Sequence, residues 1–312
     1  MMFYKVMEKV LVLMSLYNGH LYIRQQFDSL LNQKGVNISL LIRDDGSTDK
    51  SAYTIIKEFI DRSCNILLTK GENCGSARSF MNLLYEAKVS YCDYDYYAFC
   101  DQDDVWLPDK LHAAIEKLKK MDGRKPCLYL GSYQMVDSNL NEIPTVHKKP
   151  SLDMVSAFVS NPATGCTMVF NKKLLEAVVS KRPDYMIMHD YWMYLVCLAL
   201  GGEIYYDPTP YMLYRQHDHN VIGGKKDSFM KRWSTRLRKL FRKGDCFKSR
   251  MATQLLTCYN ERLTSEDKEF LTQVSTCSLW SSKIKLLTNR RFKSKSFDKN
   301  LQLFGLILSG KL

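Results

Sequence analysis

The chain predicts an α/β protein: a mixed, mostly parallel sheet flanked by helices, followed by a basic, mainly helical extension. Three observations carry that expectation. Apolar runs alternate with helical patterns in the order strand, helix, strand. The strands end in polar, often acidic, tips. The balance of charge changes abruptly near residue 224.

The first apolar run, residues 10–17, reads as a buried strand and is followed by Asn18-Gly19. A helical pattern covers residues 21–31, and a second strand covers residues 38–42. Strand, helix and strand with short connections make a parallel βαβ unit. The pattern continues with a helix over 51–60, a strand over 65–69 and a helix over 73–87 opened by a glycine-containing turn. Tyr96, Tyr97, Ala98, Phe99 and Cys100 form a further buried strand. A helix is expected over 108–121 with Pro108 in its first turn, where a missing N–H costs nothing. Residues 127–133 read as a strand, 134–156 as loop, 158–170 as a passage through Thr164-Gly165 into a strand, and 172–179 as a helix. An apolar helix is expected over 190–200, stopped by Gly201-Gly202. Residues 204–215 carry strand residues interrupted by Pro208 and Pro210.

The strand tips carry the chemistry. Asp101-Gln102-Asp103-Asp104 closes the strand at 96–100. Alternation along a strand points Asp101 and Asp103 the same way. Two such carboxylates repel unless a cation lies between them, and oxygen ligands suit Mg²⁺ or Mn²⁺. An acidic strand end can also be a plain polar loop. In open α/β sheets, ligands bind beyond the carboxyl ends of the strands. Asn18-Gly19, Asp44-Asp45 and Asp101–Asp104 therefore share one crevice, which a set of unrelated turns does not explain.

Composition narrows the classes. The chain has 312 residues, 46% of them hydrophobic, and a net charge of +12. Residues 225–312 hold 21 Lys/Arg against 7 Asp/Glu, whereas residues 1–224 are close to neutral. This divides the chain into a catalytic region, 1–224, and an extension, 225–312. Ten cysteines without a Cys-x-x-Cys spacing argue against a zinc site or disulfide framework and for reduced thiols. Residues 1–7 lack the pattern of a signal peptide, and no apolar run reaches the length of a membrane span. Basic charge alone would suit a nucleic-acid-binding protein, but it is confined to the last quarter and leaves the acidic tips unexplained. A sugar nucleotidyltransferase would carry a glycine-rich basic loop where this chain has Tyr17-Asn18-Gly19-His20.

An ordered set of motifs resembles family 2 glycosyltransferases of the GT-A, Rossmann-like, nucleotide-diphospho-sugar transferase fold, close to their bacterial rhamnosyltransferase-like branch. The set runs Ser15-Leu16-Tyr17-Asn18-Gly19, Asp44–Asp49, Asn73-Cys74-Gly75, Asp101–Lys110, Thr164-Gly165-Cys166, His189-Asp190-Tyr191-Trp192 and Tyr214-Arg215-Gln216-His217, over residues 10–224. The resemblance implies an inverting, metal-dependent transferase with a dTDP- or UDP-sugar donor, possibly dTDP-L-rhamnose. The acceptor it implies is a growing, lipid-linked cell-surface polysaccharide of capsule or O-antigen type.

The resemblance also assigns roles. Asp103 is the principal metal ligand, Asp101 binds the metal or the ribose, and His217 binds the metal or the diphosphate. Asp190 is the general base; by residue type alone it reads equally as a helix N-cap. Tyr17 and either Asp44 or Asp45 receive the nucleotide base, with Asn73 and Arg78 in the same pocket. Arg215 is a candidate for the diphosphate or for a structural ion pair. Asp104, Gly165, His189 and Trp192 lie toward the donor sugar or acceptor; core packing is the commoner fate for a Trp.

In the extension, Phe229, Trp233, Leu237, Leu240 and Phe241 fall on one helical face with Lys and Arg around the rest. Such a helix suits either packing against the catalytic region with its basic side in water or an anionic membrane surface, and the cluster Arg290-Arg291-Phe292-Lys293-Ser294-Lys295 tips the reading toward the membrane. The expected location is cytoplasmic, peripheral at the inner face of the cell membrane, with no nucleic-acid partner.

Overall fold

The structure is a computed structural model, which describes residues 7–62, 65–91, 93–145, 149–217 and 246–312. The segment 229–243, expected as a basic amphipathic helix, lies outside the described residues, as does the boundary near 224.

The first half alternates strand and helix: β1 (Glu8–Leu16), α1 (Ile23–Leu31), β2 (Val36–Asp44), α2 (Lys50–Arg62), β3 (Ile66–Lys70), α3 (Ser76–Ser90) and β4 (Tyr96–Cys100). Next come β5 (Val105–Trp106), α4 (Lys110–Leu118), β6 (Cys127–Val136) and α5 (Met154–Val159). A 3-10 turn (Gly165–Thr167) leads into β7 (Met168–Asn171), α6 (Lys172–Val179), α7 (His189–Ala199) and β8 (Glu203–Arg215). The described part of the extension forms α8 (Phe247–Tyr259), α9 (Ser265–Ser275), α10 (Trp280–Thr288) and α11 (Phe297–Ser309).

Eight strands form one sheet in the order β3-β2-β1-β4-β7-β6-β8-β5. The β3, β2, β1 and β4 pairings are parallel, β7 runs antiparallel to both β4 and β6, and β6 and β8 are parallel. β1 is buried on both faces, as its unbroken apolar sequence requires. Its alternate residues serve two cores. Val10, Val12 and Met14 pack with Ile23 and Phe27 of α1, while Leu11 and Leu13 pack with Phe80 and Leu84 of α3.

That second core continues into the extension. Met251, Leu255, Phe270, Leu271, Leu303 and Ile307 belong to the same buried cluster as Leu11 and Leu13. The Phe270 ring meets Phe158 edge-on at 5.7 Å, the Tyr259 hydroxyl donates to Ala177 O at 3.0 Å, and Lys248 Nζ donates to Phe158 O.

Three local expectations change. The helix expected from residue 73 begins at Ser76, because the 71–75 turn is drawn onto Asp45. Pro108 precedes α4, whose first residue is Lys110. Pro208 and Pro210 do not interrupt β8. Both are exposed, and Pro210 pairs with Ser132 where the β6–β8 register shifts, so their missing N–H groups break no ladder bond.

Candidate functional site

The sheet brings the polar tips to one edge. Asn18 adopts the left-handed conformation, with φ +48°. Its Oδ1 accepts N–H groups of Thr48 (2.9 Å) and Asp49 (3.1 Å), and its own N–H donates to Ser47 Oγ (3.0 Å). Gln102 clasps Tyr17 from the other side. Its Oε1 accepts the Tyr17 N–H and its Nε2 donates to Tyr17 O, each at 2.9 Å. A Cβ on Gly19 would come within 2.6 Å of that Oε1, so this clasp requires glycine. The tips of β1, β2 and β4 are thus stitched together, with the Tyr17 ring 46% exposed beside them.

The two candidates at the β2 tip differ. Asp44 accepts the Ser47 N–H at 2.9 Å and shapes the turn. Asp45 is buried. Its Oδ2 accepts the Gly75 N–H (2.9 Å), both oxygens accept from Cys74 N, and Oδ1 pairs with the Arg43 guanidinium. Burial alone would raise the Asp45 carboxyl, but the Cys74 and Arg43 donors outweigh it and hold the pKa below its usual value. Asp45 therefore organises the turn that carries Asn73, which is exposed along with Arg78. Arg43, which also donates to Glu72 O (3.0 Å) and Ser79 Oγ (3.2 Å), was missed in the sequence. Its only signal there is an arginine closing an otherwise apolar strand.

β4 ends at Cys100, so Asp101–Asp104 form a turn, and alternation no longer sets their directions. The Asp103 Oδ2 and His217 Nε2 lie 2.8 Å apart, joining two of the expected metal ligands. Asp101, the third, forms with Asp104 and Cys166 a group whose ligand atoms all lie within 4.8 Å of one another. Burial, then the charges of Asp103 and Asp190, push the Asp101 carboxyl up to about 7. A divalent cation would relieve that repulsion, and carboxylate oxygens with one imidazole suit Mg²⁺ or Mn²⁺.

Asp104 does not reach a sugar. It is fully buried and its Oδ1 accepts the Arg215 N–H at 3.1 Å. Arg215 is equally internal. Its guanidinium donates to Asp103 O (2.8 Å), Ser138 O (2.6 Å) and Gln25 Oε1 (2.6 Å) and lies 4.4 Å from the centre of the Tyr22 ring. Every nitrogen of that fork has a partner within the protein, so the structural alternative describes it. What delivers Arg215 and His217 here is β5, a two-residue strand unforeseen in the sequence, which pairs Val105 with Leu213 and Trp106 with Met212. Lys110 is buried over the Trp106 ring at 3.7 Å, and desolvation lowers its ammonium to about 8.

Across the crevice, Asp190 is the second residue of α7, not its N-cap, which is Met188. Its Oδ2 accepts the Gly165 N–H (3.0 Å) and its Oδ1 accepts the Tyr191 N–H (2.6 Å). Burial pushes its carboxyl up to about 6 against those two donors. His189 stacks on Phe80 at 4.0 Å and meets Phe99 edge-on at 4.7 Å. Both its ring nitrogens are buried without a partner among the described residues, and burial lowers its pKa to about 3, so the ring is neutral. Gly165 admits that ring closely: a Cβ there would lie 3.0 Å from His189 Nε2. Trp192 is wholly buried in the core and packs 6.1 Å from Tyr259, so it offers no face to a sugar.

Known proteins resemble this chain in sequence and in fold. The family described as glycosyl transferase family 2 matches residues 11–178. The dTDP-rhamnosyl transferase RfbG of Shigella flexneri is 30% identical over 225 residues, 67% of this chain and 73% of that protein. An uncharacterized glycosyltransferase of Rickettsia typhi is 27% identical over 241 residues, 74% of this chain and 72% of its own. Among solved structures, S. aureus TarS 1-349 superposes with a TM-score of 0.58 at 15% identity, covering 95% of this chain and 77% of TarS 1-349. A Pyrobaculum calidifontis mannosyltransferase superposes with a TM-score of 0.51 at 14% identity, covering 98% and 86%. These likenesses establish the GT-A fold. A family match over more than half of the sequence, with its motifs collected along one sheet edge, identifies the chain as a glycosyltransferase belonging to glycosyl transferase family 2.

Proposed function

We propose that the protein is an inverting, metal-dependent transferase that moves L-rhamnose from dTDP-rhamnose to a lipid-linked polysaccharide acceptor at the cytoplasmic face of the membrane. The observation that carries the inversion is Asp190. It is a buried carboxylate with its pKa raised toward neutrality, held by two N–H donors beside the acidic turn. A carboxylate base there deprotonates the acceptor hydroxyl as it attacks the anomeric carbon from the face opposite the leaving diphosphate. The fixed Gly165 and Tyr191 donors keep its oxygens oriented, and burial keeps competing water out. Tyr17 and the β2 tip receive the base of the nucleotide. Asp103, Asp101 and His217 are the residues to hold a divalent cation, which when bound neutralises charge on the leaving diphosphate. Supporting it are the Asp-rich group here and the Mn²⁺ named in the description of the P. calidifontis mannosyltransferase.

The rhamnosyl part rests on the name of the S. flexneri relative. A UDP-hexose donor is the second reading, favoured by a TarS structure solved in complex with UDP-GlcNAc (TM-score 0.57). Calorimetric titration with dTDP and with UDP, each with and without Mn²⁺, separates them. The expected result is Mn²⁺-dependent binding that is tighter for dTDP. Binding of neither nucleotide under any condition overturns the transferase reading. In the same assay Asp103→Ala weakens nucleotide binding by about tenfold or more. Asp190→Ala leaves that binding intact and lowers transfer by roughly 10²–10⁴-fold.

A further inference from the structure

We propose that α10 and α11 form a docking face for an anionic lipid bilayer. The inference deepens the membrane part of the reading above and rests on a different surface from the segment 229–243. On α11, Phe297, Leu301, Phe304 and Leu308 recur at intervals of four, three and four residues, a single helical stripe, and all four are exposed. The opposite side of the same helix, Leu303 and Ile307, is buried in the core, so the stripe faces outward. Beside it α10 exposes Trp280 and Ile284, one turn apart. Lys283 ties the two rows together: its Nζ donates to Leu308 O at 2.8 Å and lies 5.1 Å from the Trp280 ring centre. Trp280 is 73% and Phe297 79% exposed, values at which large aromatic side chains are costly in water.

Charge identifies the occupant. Residues 279–312 carry eight Lys/Arg and one acidic residue, Asp298. The loop between the two helices presents Arg290, Lys293 and Lys295, exposed and without an ion pair among the described residues. Lys285 and Arg291 pair with Glu269 and with Asp153 and Glu266 of neighbouring elements, which leaves an apolar stripe rich in aromatics bordered by Arg290, Lys293 and Lys295, a match to the boundary between anionic headgroups and acyl chains. A second copy of this chain would bring the same cations together and repel. The face is also rigidly joined to the acceptor side of the site. Arg291 in that loop pairs with Asp153 at 3.1 Å, Asp153 caps α5, and the Tyr191 hydroxyl, next to Asp190, donates to Ala157 O of α5 at 3.2 Å.

The test is cosedimentation of the full chain with phosphatidylglycerol/phosphatidylcholine vesicles and with pure phosphatidylcholine vesicles. The wild type should bind the anionic vesicles, and salt should release it. Trp280→Ser, Phe297→Ser and Phe304→Ser should each lower binding by about tenfold with an unchanged thermal midpoint. Lys293→Ser and Lys295→Ser, which touch no core residue, should lower it by roughly fivefold each. The proposal is overturned if the wild type ignores anionic vesicles, or if both sets of variants bind like the wild type. It is also overturned if the apolar variants only convert a dimer to a monomer. Nucleotide titration is independent of all these outcomes, so a failure here leaves the donor reading untouched.

Discussion

Asp190, the general base proposed above, sets that role against the stability of the fold. Its carboxyl, usually near 3.8, is raised to about 6 by burial. The folded protein therefore holds that proton more tightly than the unfolded chain. The stability it contributes is complete below about pH 4 and is lost as pH rises to about 6. Above that window the buried charge costs on the order of 3 kcal/mol. Asp190→Asn removes the buried charge but keeps an oxygen for only one of the Gly165 and Tyr191 donors, so its melting midpoint should vary less between pH 4 and pH 7.5 than that of the wild type while transfer is abolished. In the wild type, kcat/KM should fall as pH drops through about 6, read from a pH–rate profile with soluble acceptor. The role of Asp190 became legible in the sequence only through the His189-Asp190-Tyr191-Trp192 motif, because an Asp near the start of a helix reads equally as a cap. Its placement in the first turn of the helix, with a donor reaching across from Gly165, depends on the fold. Trp192 could not have been separated from a sugar platform by residue type, since only the packing against Tyr259 shows which way its ring turns.

At the scale of elements, β8 ties the sheet to the site. Its last residue, Arg215, fastens the acidic turn through Asp103 O and the Asp104 carboxylate, and two residues on His217 meets Asp103. Arg215→Met should strand the Ser138, Asp103 and Gln25 acceptors and destabilise the protein by about 3 kcal/mol. Urea titration would register this as a lower midpoint at unchanged slope. Nucleotide affinity should fall with it as the turn loosens. Buried parallel strands and the helices between them were legible from apolar runs and period. β5 was not, because two residues carry no periodicity. β8 was read as interrupted because proline normally ends a ladder, and its tolerance here comes from exposure at a register shift, a property of the partner strand.

At the scale of the molecule, the described residues on either side of the break in composition near residue 224 share one core. The described part of the extension buries Met251, Leu255, Phe270 and Leu303 in the same cluster as β1 and α3. Phe270→Ala should therefore cost about 3–5 kcal/mol. The protein should still unfold in a single transition, with near-UV dichroism and nucleotide binding lost together. Two separated transitions would restore the division into independent units that charge alone suggests. No helix among the described residues is long and apolar enough to cross a membrane.

The shared core also orders events in time. Leu11 and Leu13 leave the ribosome long before Leu303 and Ile307, which belong to the same buried cluster. This core is therefore complete only after the extension has been made. The nascent chain meanwhile exposes the part of the apolar surface that the extension covers, a burden of the kind that chaperones relieve.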